Sequence, residues 1–160
     1  MKSLIIVHSY HHKNTEKIAQ TMAPILGSEI RTLDQISPDA LLDYDLLGFG
    51  SGVYFSKLYK GLLEFADKLP EVNGKNAFIF STSGRAGKSA VDFHKALRST
   101  LSSKGYTVLG EFSCPGFDTF GLLKIGGGIK KGRPNQEDLN QAEIFAQSMQ
   151  KNENKIMYLD

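Results

Sequence analysis

Three short stretches of the chain concentrate side chains that could grip a ligand. His8-Ser9-Tyr10-His11-His12-Lys13-Asn14-Thr15 gathers hydroxyls, an amide, imidazoles and an ammonium within eight residues. Such donors suit the oxygens of a phosphate. A helix starting at Thr15 would add unpaired N–H groups and about half a positive charge. A polar loop capping a helix would use some of the same residues; the density of donors favours an anion site. Gly50-Ser51-Gly52-Val53-Tyr54-Phe55 joins two glycines, which let backbone approach a ligand, to two aromatics. Those rings could stack on a planar group or simply cover the core. Ser81-Thr82-Ser83-Gly84-Arg85-Ala86-Gly87 is small and rich in hydroxyls. Its arginine carries a planar fork that could face a carbonyl or a developing anion, or lie as a surface charge in a turn.

The elements around these stretches decide whether they can meet. Lys2–His8 is a continuous apolar run, the pattern of a strand buried on both faces. Thr15–Ala23 switches to helical spacing, which Pro24 is expected to end or kink. Ser28–Thr32 reads as a weak strand, Ser37-Pro38-Asp39 as the start of a short helix, and Asp45–Ser51 as the next buried strand. Leu58, Leu62, Phe65 and Leu69 stripe a helix ended by Pro70, and Lys75–Ser81 returns to strand. Ala90, Phe93, Leu97 and Leu101 stripe a longer helix that Gly105 can cap, before a strand over Tyr106–Cys114. Asn135 and Asp138 resemble a capping box ahead of a last helix. The final ten residues, 151–160, are polar and expected to fray. Five such alternations predict one domain: an α/β doubly wound, five-stranded parallel sheet with right-handed crossovers. All three stretches then follow strand ends on one rim, where such sheets bind ligands at the reversal of winding.

Other classes fall away. No G-x-G-x-x-G, no G-x-x-x-x-G-K-[ST] and no G-x-S-x-G is present. His8, His11, His12, His94 and Cys114 show no metal-ligand spacing, so no metal is expected. His94 reads as a partly buried helix residue and Cys114 as a small buried hydrophobe. A phospho-receiver domain would need an acidic pair after the first strand, where this chain has His8-Ser9. Leu, Ile, Val and Phe exceed a quarter of the residues, above the roughly 20% that marks disorder. A net charge of +2 implies no nucleic acid, no apolar run implies membrane insertion, and one cysteine fits a reducing cytoplasm.

Taken together, the three loops resemble the flavodoxin family over roughly residues 2–150. Asn14-Thr15 followed by Ala19 is similar to the end of the family's phosphate motif, and Gly50–Phe55 and Thr82–Gly87 sit where its ring-flanking loops would be. The resemblance implies the strand order 2-1-3-4-5, with FMN at the switch between strands one and three. It implies that Ser9, Tyr10, His11, His12, Lys13, Asn14 and Thr15 hold the phosphate. Ser51, Gly52, Val53, Tyr54 and Phe55 would flank the ring on one side, and Ser83, Gly84, Arg85, Ala86 and Gly87 on the other. An FMN-binding electron carrier working with redox proteins such as ferredoxin or flavin reductases is the implied activity. Departures accompany the likeness: Tyr10, His12 and Lys13 replace hydroxyls and a glycine, and the family's strong acidity is missing. The run Gly50–Lys60 also resembles flavodoxin-like protoporphyrinogen oxidases, which implies a flavin-dependent oxidoreductase acting on a quinone or porphyrin-type substrate as the alternative. The Gly-rich segment of about residues 113–134 is expected to fold over the active rim, its basic cluster facing an acidic partner or solvent.

Overall fold

A computed structural model describes residues 1–84, 90–117, 128 and 130–160, apart from the side chain of His11. Strands β1 (Ser3–His8), β2 (Glu29–Arg31), β3 (Leu46–Tyr54), β5 (Lys75–Ser83), β6 (Tyr106–Pro115) and β7 (Lys155–Tyr158) form a parallel sheet in the order 2-1-3-5-6-7. β4 (Lys57–Leu58) folds back antiparallel on β3. The first five parallel strands carry the expected order, which is the doubly wound flavodoxin-like arrangement.

Alternation along each strand feeds two cores. Ile5 and Val7 of β1, with Phe78 and Phe80 of β5, face helices α1 (Asn14–Leu26) and α4 (Gln136–Gln150). Leu4, Ile6, Ala77 and Ile79 face α2 (Lys60–Asp67) and α3 (Ala90–Ser103). The capping box at Asn135 and Asp138 forms in full. No helix among the described residues is long and apolar enough to cross a membrane.

The structure corrects four expectations. Pro24 does not end α1, which runs two residues further to Leu26. Met22, Ala23 and Leu26 are buried on the sheet, and tertiary burial outweighs the lost helix bond. Leu58 lies in β4 rather than in the following helix, because Phe55 and Ser56 both adopt left-handed backbone (φ 50° and 62°) and turn the chain into a two-residue hairpin. Residues 155–158 do not fray but extend the sheet as β7. Finally, the crossover from β6 to β7 runs over the α1 face toward the edge that α2 and α3 approach over the other face. It is therefore opposite in hand to the crossovers through α1, α2 and α3, although about 98% of such connections share one hand.

Gly27 and Gly105 both end helices in the left-handed region (φ 61° and 86°) but in different surroundings. A Cβ at Gly27 meets nothing within 4 Å, whereas one at Gly105 would lie 1.8 Å from the Val72 carbonyl oxygen. In urea unfolding, Gly27→Ala should cost about 1 kcal/mol, the left-handed penalty alone. Gly105→Ala should cost about 3 kcal/mol or more, because strain and overlap add.

Candidate functional site

The carboxyl ends of β1, β3, β5 and β6 open onto one cleft. Ser9 and Tyr10 after β1, with Asn14 and Thr15 at the start of α1, form one wall. Gly52, Val53, Tyr54 and Phe55 form the second; Thr82, Ser83 and Gly84 form the third; Gly116 and Phe117, after β6, complete it.

The walls are tied together by hydrogen bonds. The Thr15 and Thr82 hydroxyls lie 2.8 Å apart, joining the start of α1 to the end of β5. Asn14 Nδ2 donates to the Phe117 carbonyl at 2.8 Å. A Cβ at Gly116 would sit 2.7 Å from that nitrogen, so only glycine permits the approach. The other half of the same amide is different: Asn14 Oδ1 is buried and has no hydrogen-bond partner among the described residues. An unmet buried acceptor costs about 1–3 kcal/mol. This oxygen therefore calls for a ligand hydroxyl or N–H, in a cleft otherwise supplied with backbone and hydroxyl donors.

Of the residues expected at the site, Ser9, Tyr10, Asn14, Thr15, Gly52, Val53, Tyr54, Phe55, Ser83 and Gly84 line this cleft. Ser51 does not. It is fully buried, donates to the Gly52 carbonyl and accepts from the Tyr59 N–H at 2.9 Å, so it braces the turn instead of facing a ligand. His12 and Lys13 stand beside the cleft in left-handed conformations (φ 56° and 51°). The His12 ring packs 4.3 Å from Phe117, and the exposed Lys13 ammonium lies 3.9 Å from Glu16. The His11 side chain, Arg85, Ala86, Gly87 and residues 118–127 and 129 of the segment 113–134 lie outside the described residues. Thr82, which the sequence places in the run Thr82–Gly87 without assigning it a contact, also lines the cleft, as strand alternation sets it opposite Ser81.

Beside the cleft, His8 stacks on Tyr59 with centroids 3.5 Å apart, and Tyr54 stands edge-on to both. Burial pushes the His8 pKa below its ordinary value, which keeps the imidazole neutral. An apolar groove over this cluster reaches Leu58 and Leu63 and shares Tyr10, Tyr54 and Phe55 with the cleft.

On the α3 face below the site lies a buried polar cluster. Glu111, 3% exposed, accepts from both Arg98 Nε and Arg98 Nη2, from Tyr158 at 2.5 Å and from His94 Nδ1 at 3.1 Å. His94 Nε2 reaches the Ser81 hydroxyl at 2.8 Å, and Ser81 donates to Ser113. Burial alone would raise the Glu111 pKa, but the hydrogen bonds from Arg98, His94 and Tyr158 outweigh it and hold the carboxyl at about 2. Burial, and then the carboxylate beside it, pushes the Tyr158 phenol up. His94 is thus fully buried in a network, not the partly buried helix residue expected. Cys114 is the small buried hydrophobe expected, its thiol pushed up by burial.

A parallel sheet wound from β1 in both directions, with a cleft at the reversal, defines the flavodoxin-like class. The chain belongs to the flavodoxin domain family, whose pattern matches residues 5–116. An uncharacterized protein of Methanocaldococcus jannaschii is 50% identical over 152 residues, covering 95% of this chain and 100% of that protein. Among solved structures, Flavodoxin 2 of Bacillus cereus superposes with a TM-score of 0.70 at 19% identity, covering 91% of this chain and 95% of that one. A flavodoxin from the domain Archaea gives a TM-score of 0.66 at 14% identity, covering 94% and 97%. At these identities the likeness to the solved structures concerns the fold.

The Glu111 pKa generates a pH prediction. Its folded value lies below the ordinary carboxylate value, so its stabilisation is complete above about pH 5 and is lost as pH falls from about 4.5 toward 2. The loss should reach about 3 kcal/mol. Urea midpoints measured between pH 7 and 3 should fall over this window. Glu111→Gln should be less stable at pH 7 by a similar amount and show a flatter acid limb, because Arg98 loses its buried partner.

Proposed function

We propose that the chain binds FMN in this cleft and carries electrons between redox proteins of the cytoplasm, ferredoxin-type proteins or flavin reductases among them. The observation that carries the reading is the meeting of four strand-end loops on one cleft at the winding reversal, with the Asn14 Oδ1 acceptor buried in its wall. FMN, when bound, supplies the one- and two-electron transfer, while the protein supplies binding, orientation and electrostatics.

The chain's own residues divide that work. Ser9, Thr15 and the start of α1 would hold the phosphate, with Lys13 and His12 adding charge from beside the cleft. Asn14 Oδ1 would accept from a hydroxyl of the ribityl chain. Gly52–Phe55 would cover one side of the ring, and Ser83, Gly84, Arg85, Ala86 and Gly87 the other. Arg85 would favour a negative charge on the reduced ring, since a unit charge about 4 Å away is worth roughly 4 kcal/mol at an effective dielectric near 20.

The groove beside Tyr54 and Phe55 favours a second reading, in which a small planar substrate such as a quinone or porphyrin is reduced or oxidised next to the flavin.

Fluorescence titration with FMN tests the binding: the protein should quench and take up one equivalent, and a protein that takes up none ends the proposal. A redox titration resolving two one-electron steps, with exchange only to protein partners, supports the carrier; rapid two-electron turnover with a small quinone supports the enzyme. Lys13→Ala should weaken FMN about fivefold and leave riboflavin unchanged. Equal losses for both ligands would take Lys13 away from the phosphate. Arg85→Ala should lower the midpoint potential, and an unchanged or raised potential would remove Arg85 from this role.

A further inference from the structure

β7 is the least expected element of the fold, a four-residue strand reached by the crossover of opposite hand. Its side chains are at best half-buried: Ile156 is 67% exposed, while Met157 and the adjoining Leu159 pack partly buried against the α1 and α4 core. Partial hydrophobic burial accounts for one side of the strand only. Its polar contacts lead instead to the cleft, by three separate routes.

The first route runs through the buried cluster. Tyr158 donates to Glu111 at 2.5 Å, Glu111 holds His94, and His94 Nε2 meets Ser81 on β5. The next residues of β5, Thr82 and Ser83, are a wall of the cleft. The second route is backbone: Leu159 N–H donates to the Ser113 carbonyl at 2.8 Å, three residues before Gly116. The third passes through Arg133. Its Nη2 donates to the Asp160 carbonyl at 3.3 Å, and its guanidinium forms a two-bond pair with Asp138, which is 1% exposed. The Arg133 carbonyl accepts from Phe117 N–H at 2.9 Å, and the Phe117 carbonyl accepts from Asn14 Nδ2. Residues 158–160 thus reach the end of β5, the end of β6 and the start of α1.

We propose that β7 is a structural part of the ligand site, with Tyr158 and Arg133 as positioning residues that hold the Thr82–Ser83 and Gly116–Phe117 walls in register with Asn14. Neither residue lines the cleft. The proposal rests on the FMN reading only for its choice of ligand. An edge strand that merely protects β6 would raise stability without touching the site; a strand that positions the site also changes affinity.

The test uses the full chain, as wild type and as Tyr158→Phe, Arg133→Met and Arg133→Lys. FMN affinity and the midpoint potential of bound flavin are measured well below each variant's Tm. Tyr158→Phe leaves Glu111 its bonds from Arg98 and His94, so the fold survives. It should weaken FMN about tenfold, equivalent to about 1.4 kcal/mol of coupling, and shift the potential. Arg133→Met should weaken FMN to a similar degree and Arg133→Lys should recover part of the loss. Wild-type affinity and potential in Tyr158→Phe, whatever its Tm, would overturn the proposal, and that variant decides the matter if Arg133→Met does not fold. Amide hydrogen exchange without ligand gives an independent reading. In Tyr158→Phe the amides of residues 82–84 and 116–117 should exchange faster, and unchanged exchange there would overturn the proposal even if wild type bound no FMN. Failure of wild type to bind FMN, with faster exchange in the variant, would sink the FMN reading and leave the positioning role of β7 standing.

Discussion

β1 is hydrogen-bonded along one edge to β2 and along the other to β3, with all three strands parallel. A parallel neighbour can be reached only by crossing a face of the sheet. The chain crosses one face through α1 to reach β2, then returns past β1 and builds outward through α2 and α3 on the other face. Loops on either side of this reversal part from one another above β1 and β3, and the cleft occupies the space between them. Substitutions that disturb the pairing of β1 would act on every wall at once. Its buried Leu4, Ile5, Ile6 and Val7, which feed both cores, are therefore functional residues at one remove.

The second constraint is electrostatic. Glu111 sits in a strand that otherwise reads as core, flanked by Gly110 and Phe112. A carboxylate there is tolerable only if its lone pairs are filled, and Arg98, His94 and Tyr158 fill them from two elements on the same face. Replacing such a network by apolar groups is often neutral or stabilising in other proteins, so stability alone is a poor reason for it. A polar network differs from an apolar core in its demand for one geometry: each donor must meet its acceptor within a few tenths of an ångström. Located where β5 and β6 run into the cleft, that demand sets the relative positions of two of its walls.

Most of the framework was legible from the sequence because it rests on patterns that local chemistry enforces. Apolar runs marked β1, β3 and β5, i/i+4 stripes marked the helices, and Asn135 with Asp138 marked a helix start that forms as expected. What escaped notice depends on partners distant in sequence. The Phe55-Ser56 turn lacks the glycine or asparagine that normally announces left-handed backbone, so β4 and the exposed position of Phe55 were hidden. β7 is short and half polar, and its partners lie on β6. Ser51 carries a plausible ligand-binding hydroxyl, but the fold turns that hydroxyl to the Tyr59 N–H. One signal was available: a charged Glu111 inside the run Val108–Cys114 requires a buried partner, and His94 and Arg98 stand four residues apart on one helix.

Family membership explains the position of the cleft but not the polarity around it. One wall offers hydroxyls, an amide and a helix start, the equipment for an anion on any doubly wound sheet. Phe55 is 83% exposed and Tyr10 69% exposed, and Phe55 is held there by backbone that bulky residues rarely adopt. Such backbone at a bulky residue costs about 1–3 kcal/mol, and it sets Phe55 where the cleft and the apolar groove meet. Cleft and groove thus share one aromatic rim of Tyr10, Tyr54 and Phe55, with hydroxyl and amide groups lining the cleft and Leu58 and Leu63 lining the groove.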